Sequence, residues 1–364
     1  MRLLFATKDV GGFQATEPIA RVSKARGHTP IILAEGLSVQ EWRNKNWELT
    51  FEGTKDFEKE PFDFDPKLAI EAAQLGAVIV TYGAPPNIEA KLAHAAAELK
   101  VPLIGIEDYI GGSRRINPGI FDLILTKEFG REAIATLSPG IKAKIVEIGS
   151  VFIASMLQTP IPSKIVEIFN RACGGRRAVL VAGNGHDTQY FLHWTLASAG
   201  ISSEKVIVIV RHHPRTRGTE KDKEMWMLQQ KLYAALKGDK AITMLPEIAD
   251  TRFIARLADA TVSNYGTLFE ASAVGGHIPV RVSSPVCDAE LLSESKLDFH
   301  PMVRVGKHEI GAALEFNWEC PADLLAKVFS QRDKVVAAQR ANFKFSRTAP
   351  EDAMNEIEKL AKSR

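Results

Sequence analysis

The chain has 364 residues, of which 45% are apolar, 25% charged and 8% aromatic. That composition fits a soluble globular protein long enough for two domains and excludes a disordered chain, a collagen and a disulfide-knotted miniprotein. With 46 basic and 44 acidic residues the net charge is +2, which leaves no electrostatic footprint for wrapping a nucleic acid, so no nucleic acid partner is expected.

The first strand candidate is Leu3 to Ala6, too short for the core of a signal peptide. Gly11-Gly12 follows, then an amphipathic stretch from Ala15 to Arg26 that stops at Gly27. Strand-like runs continue at Pro30 to Ala34, Ala77 to Gly83, Pro102 to Asp108, Asp122 to Lys127 and Lys144 to Ser150. Helix-length apolar segments, such as Leu68 to Leu75 and Ile88 to Leu99, lie between several of them. Two prolines in Leu157 to Pro162 interrupt the pattern, and the interdomain linker is expected there. A second series runs through Ala178 to Gly183, Val206 to Val210, Ala241 to Leu245, Ala260 to Asn264 and Ile278 to Val282. Pro321 to Asn342 reads as one long helix and Glu351 to Lys362 as a last amphipathic one. Continuous apolar strands alternating with helices predict parallel sheets covered on both faces, here two doubly wound α/β domains. Cys173, Cys287 and Cys320 are odd in number and lack CxxC spacing. That argues against structural zinc or a disulfide framework and fits a reducing, cytoplasmic compartment. No stretch approaches the roughly 18 apolar residues of a membrane span.

Doubly wound domains bind ligands beyond the carboxyl ends of their strands, so the strand-end loops carry the functional signal. The first, Thr7 to Gln14, holds Asp9, Gly11 and Gly12 ahead of a helix. Its glycines allow close approach of a ligand and the helix start favours an anion, although a plain tight turn would read alike. It is not GxGxxG, which argues against a dinucleotide-binding dehydrogenase. The loop from Glu107 to Arg115 combines Glu107 and Asp108 with two glycines and two arginines. Carboxylates supply a base for a hydroxyl and arginines neutralise phosphate, or the charges simply pair with one another. Gly183-Asn184-Gly185-His186 opens the second series; its freed amides suit a phosphate, with Asp187 or Thr188 as helix cap. Arg211-His212-His213-Pro214-Arg215 ends an uncharged strand. Adjacent histidines on a strand point to opposite faces, so a metal reading fails, and His213, next to the restraining Pro214, is the favoured site residue. Asn264, Gly266 and Thr267 open a helix suited to a phosphate, with Glu270 one turn further to accept from ribose hydroxyls.

These loops resemble those of GT-B glycosyltransferases. The likeness lies in Gly11-Gly12 with Pro18-Ile19-Ala20 and Arg26-Gly27-His28, and in the passage Asp122 to Val151. It lies also in Asp259-Ala260-Thr261-Val262-Ser263-Asn264-Tyr265-Gly266-Thr267-Leu268-Phe269-Glu270, which is similar to the donor-site signature of that superfamily. Arg211 and His213-Pro214 resemble the HP motif of bacterial sialyltransferases and CDP-glycerol-type polymer transferases. The resemblance implies two doubly wound, Rossmann-like domains with an interdomain cleft. They would span 1–156 on the acceptor side and 174–345 on the donor side, with a C-terminal helix in 346–364 returning to the first.

The implied chemistry is transfer of a sugar from a nucleotide-sugar donor to a sugar, polymer or lipid-linked acceptor. Asp9, or Glu107 with Asp108, would take the acceptor proton. Arg211 and His213 would face the departing phosphate, Gly266 and Thr267 hold phosphate, and Glu270 hold the ribose. Gly11, Gly12, Gly183, Asn184, Gly185, His186 and Asn264 would line the nucleotide and phosphate path. No cofactor and no metal are expected. A lipid acceptor would bring peripheral contact with the inner face of the membrane, and a homodimer is compatible. Val262 stands where a retaining E-x7-E pattern needs an acid, which favours inversion. UDP-N-acetylglucosamine 2-epimerases share the fold, but their usual S-G-G is Asn264-Tyr265-Gly266 here and their early G-T-R-P-E is Thr7 to Gly11. An epimerase or hydrolase is therefore the alternative, followed by a non-catalytic binding or scaffold protein. Trp42, Trp47, Phe51, Phe57, Phe62 and Phe64 fit either an acceptor loop or a satellite core.

Overall fold

The computed structural model describes residues 1–52, 65–83, 87–108, 110–183, 188–201, 205–211, 242–264, 266–295, 299–305, 307–318 and 324–363. It divides into two compact units, one formed by Met1–Gln158 with Lys344–Arg364 and the other by Thr159–Phe343. Among the described residues no helix is long and apolar enough to cross a membrane.

In the first unit, β1 (Arg2–Thr7), β2 (Thr29–Ala34), β3 (Phe51–Glu52), β4 (Ala77–Val80), β5 (Leu103–Ile106), β6 (Leu123–Thr126) and β7 (Lys144–Glu147) form one sheet. Its order is β3-β2-β1-β4-β5-β6-β7, and every pairing is parallel. Successive side chains of a strand face opposite sides. Leu3 and Phe5 therefore join one apolar layer with Ile19, Ile32 and Ile79, while Leu4 and Ala6 join the other with Val78, Val80 and Leu92. Helices cover both layers. Helix α1 (Val10–Ala25) starts at an Asp9 cap and carries Pro18 within it. The others are α2 (Ser38–Asn44), α3 (Pro66–Ala73), α4 (Ile88–Glu98), α5 (Gly130–Leu137) and α6 (Val151–Gln158).

The second unit opens with α7 (Ser163–Cys173) and a sheet of β8 (Arg177–Val181), β9 (Val206–Val210), β10 (Ile242–Thr243), β11 (Ala260–Ser263), β12 (Ile278–Ser283) and a last strand Leu314–Asn317. The order is β10-β9-β8-β11-β12 and then that last strand, again parallel throughout. Helix α8 (Thr188–Ile201) lays Phe191, Leu192 and Trp194 on the valines of β8, β9, β11 and β12.

The C-terminal helix Ala349–Lys362 returns to the first unit, as the fold resemblance implies. Ala353, Met354 and Ile357 are fully buried in the layer that holds Leu3 and Phe5. Glu358 meets Arg26 at 3.3 Å and His28 at 2.9 Å, and Glu356 meets Lys144 at 2.6 Å. The chain crosses between units at Gln158/Thr159 and Phe343/Lys344. The segment with the prolines thus begins the second unit, which also takes in α7. The long helix expected before the C-terminus is two, Leu324–Ser330 and Arg332–Asn342, separated at Gln331. Trp42 is fully buried, edge-on to Phe13 at 5.1 Å and to Trp47 at 5.6 Å, so these aromatics are core. Phe57, Phe62 and Phe64 lie outside the described residues.

Candidate functional site

Each sheet has one point where the chain reverses its direction of travel, between β1 and β4 in the first unit and between β8 and β11 in the second. Ligands of doubly wound sheets bind at the carboxyl ends of the strands at such points. Most of the residues singled out in the sequence fall there.

At the first switch point the strand ends deliver acids. Asp9, half-buried, caps α1 by accepting from the Gly12 amide at 2.8 Å. Glu107 and Asp108 follow β5. Asp108 lies so close to Gly11 that a Cβ there would stand 2.7 Å from its Oδ2 and 3.5 Å from Oδ1 of Asp9. A Cβ on Gly12 would run into the Thr81 hydroxyl. The two glycines therefore let α1 press against side chains of the neighbouring strand ends. A phosphate at this turn would face the carboxylates of Asp9 and Asp108, which disfavours an anion.

The sequence reading missed a fourth acid, Glu89, in the first turn of α4. It is fully buried and accepts from the Gly83 amide at 2.7 Å and from the Thr81 hydroxyl. Its signal was available: residues 89, 92, 93 and 96 share the buried stripe of α4, so a carboxylate stands on an apolar helix face. Burial, and next the charge of Asp9, push its carboxyl up to about 8. Burial and Asp9 push Asp108 up to about 7, against the lowering pull of Lys127 and Arg115. The Asp108 carbonyl accepts from Lys127 Nζ at 3.0 Å. Glu107 is raised too, chiefly by burial. Its two oxygens accept from the Ser113 amide at 3.1 Å and the Thr126 hydroxyl at 2.9 Å, which anchors the short turn Gly112–Arg115. Glu35, also unremarked in the sequence, is buried after β2 and accepts from the Ile88 amide at 2.7 Å.

An Asp-x-Asp spacing occurs once in the chain, at Asp63 and Asp65. Asp63 lies outside the described residues. Asp65 caps α3, accepting from the amides of Lys67 at 2.9 Å and Leu68 at 3.2 Å.

At the second switch point Gly183 follows β8 and is buried. Asn264 and Gly266 follow β11. Gly266 has φ 114° and ψ −179°, a backbone state that side chains strongly disfavour. It opens the helix Thr267–Val274 with no side-chain cap, so the cap residue supplies no acceptor to the first main-chain amides, and Glu270 is the acid of that first turn. Thr267 is half-buried, and Glu270 is buried one turn on. Asn264 itself is fully buried; its amide donates to the Cys287 carbonyl at 2.8 Å and its oxygen accepts from Arg281 Nε at 3.2 Å. Arg211 directs its guanidinium to the carbonyls of Leu245 at 3.1 Å, Ile248 at 2.6 Å and Ala249 at 3.0 Å, clamping the turn after β10. Asn184, Gly185, His186, His212 and His213 lie outside the described residues.

No family model matches the sequence, and no curated protein matches it by sequence. Solved structures do match by fold. MnaA of S. aureus, solved with UDP, is 11% identical over 98% of this chain and 96% of its own, with a TM-score of 0.67. UDP-N-acetylglucosamine 2-epimerase of Neisseria meningitidis, bound to UDP-N-acetylglucosamine, is 10% identical over 99% and 100%, with a TM-score of 0.66. A glycosyltransferase of Rickettsia africae is 12% identical over 100% and 99%, with a TM-score of 0.63. The likeness runs the full length of the chain, and it is a likeness of fold: the protein is built as two Rossmann-like α/β domains in the GT-B arrangement of strands and helices.

Proposed function

We propose that the protein is a nucleotide-sugar enzyme, and that it transfers a sugar to an acceptor hydroxyl with inversion. The observation that carries this reading is the contrast between the two switch points. The first gathers carboxylates and the second offers an uncapped helix start at Gly266. The pyrophosphate of the donor binds the amides at Gly266 and Thr267, where the helix dipole favours negative charge. Glu270 accepts from the ribose. Asp108 takes the proton from the acceptor: a carboxyl whose proton affinity lies near neutrality suits a general base. Asp9 raises that affinity and is held in place by the Gly12 amide, while Glu107 supports the loop. His213 is proposed on the leaving-group side from the sequence motif, while Arg211, expected beside it, instead directs its guanidinium to the carbonyls after β10. The transfer is proposed to be metal-independent, since Asp65 serves as a helix cap; EDTA is then expected to leave turnover unchanged.

Fold neighbours that bind UDP or UDP-N-acetylglucosamine support a nucleotide-sugar partner and make uridine the first base to try. The deciding experiment has two parts. Thermal melts with UDP, GDP, CDP, CMP, dTDP and NAD should show one selective rise, lost in Glu270→Ala, because a ligand of the native state stabilises it by mass action. The corresponding nucleotide-sugar is then incubated with the protein, with and without candidate acceptors. Consumption that needs an acceptor is expected, with Asp108→Asn slower by about 10²–10⁴-fold. Epimerisation without an acceptor would instead establish the second reading, which the paired acids and the epimerase folds favour. No melting shift with any nucleotide would overturn both.

A further inference from the structure

The strand β12 reads Ile-Pro-Val-Arg-Val-Ser, and its arginine is out of place by composition. Arg281 is 3% exposed in a strand whose neighbours are apolar and buried. A buried guanidinium is retained only when its donors are matched. Here they are. Nε donates to Asn264 Oδ1 at 3.2 Å, one terminal nitrogen to Glu315 and the other to Asp288. Glu315 stands directly across from Arg281 on the last strand of the sheet. Asp288 lies in the first turn of the helix Pro285–Ser295, whose Cys287 carbonyl takes the Asn264 amide at 2.8 Å. Arg281 thus ties the last strand, β12 and that helix to the residue at the end of β11. Asn264 is gripped from both sides, donating to Cys287 and accepting from Arg281, two residues before Gly266.

We propose that Arg281 is a positioning residue that fixes the Gly266–Thr267 turn for its anionic ligand by holding Asn264. The inference rests on the donor-site reading above and adds to it the group that sets the site's geometry. The planar fork of arginine reaches three acceptors at once, which a lysine ammonium on a flexible stem does not reproduce. Glu315 and Asp288 keep water on their outer sides, at 32% and 53% side-chain exposure, so removing the arginine does not strand two buried carboxylates.

The test compares Arg281→Met and Arg281→Lys with Val335→Ala, a core truncation in the helix Arg332–Asn342 that lowers stability without touching this network. UDP is the probe. Arg281→Met is expected to raise the Kd for UDP at least tenfold and to speed amide exchange over residues 266–271, with Arg281→Lys in between. Val335→Ala is expected to lower the Tm while leaving both readouts near wild type. A purely structural role would instead lower the Tm of Arg281→Met with Kd and local exchange unchanged, and that result overturns the inference. If the wild type does not bind UDP, the uridine form of the functional reading fails, and the exchange measurement still decides. Faster exchange at 266–271 in Arg281→Met alone supports the positioning role, and unchanged exchange overturns it.

Discussion

Glu89 couples stability to pH through a single buried side chain. An acid held above its ordinary value keeps its proton in the fold while the unfolded chain releases it near pH 4–5. The folded state then binds more protons than the unfolded one, so this contribution to stability is intact at low pH. It declines as pH rises through the window from about 4 to about 8, and is flat above. Asp108 adds a decline of the same sign that ends near 7. Glu89→Gln removes one of these acids and keeps a group that can meet both Thr81 and the Gly83 amide. Between pH 5 and 8 the wild type is expected to lose more Tm than Glu89→Gln, by several degrees; parallel profiles would show that Glu89 is not protonated in the fold. Activity carries the opposite dependence, because the proposed base must be deprotonated: turnover is expected to fall as pH drops through about 7. The burial of Glu89 was legible from its place on the apolar face of α4, but the charge of Asp9 beside it was not. Asp108 was recognisable as a strand-end acid, but its proximity to Asp9 depends on a fold contact between loops far apart along the chain.

At the level of the elements, the strands were the most readable part. Continuous apolar runs such as Ala77–Val80 and Val206–Val210 have one stable home, between two helical layers. The glycines were readable as special and not for the right partner. Gly11 and Gly12 gain their meaning from Asp108 and Thr81, and nothing in the local sequence names those neighbours. This gives a coupled prediction. Gly12→Ala is expected to destabilise because its Cβ collides with the Thr81 hydroxyl. Combined with Thr81→Ala, it should cost less than the sum of the two single changes, by about 1 kcal/mol in denaturant unfolding. Additivity would show that the two residues do not press on each other. Gly266 differs, since its need is conformational. Gly266→Ala forces a side chain into a glycine-only region and is expected to cost about 1–3 kcal/mol, with nucleotide affinity falling in step. Unchanged stability would show that the turn does not hold this φ.

The whole molecule is described by how the chain leaves the first unit and comes back. The return of the C-terminal helix was legible as an amphipathic stretch, and the fold resemblance supplied its destination. The points of crossing, 158/159 and 343/344, lie within two residues of the expected bounds, but the prolines at 160 and 162 mark a break without saying which unit claims α7. Ile357 and Met354 fill the same apolar layer as Leu3 and Phe5. Ile357→Ala is expected to cost about 2–5 kcal/mol in a unit that spans both chain ends, measured by denaturant unfolding; a loss under 1 kcal/mol would mean the helix is only loosely docked. The division of labour between the two switch points is the central claim, and a crystal structure with the nucleotide that most raises the Tm tests it most directly. The account predicts phosphate oxygens within hydrogen-bonding distance of the Thr267 amide, with the ribose at Glu270. Phosphates seated at the Gly11–Gly12 turn, against Asp9 and Asp108, would contradict it.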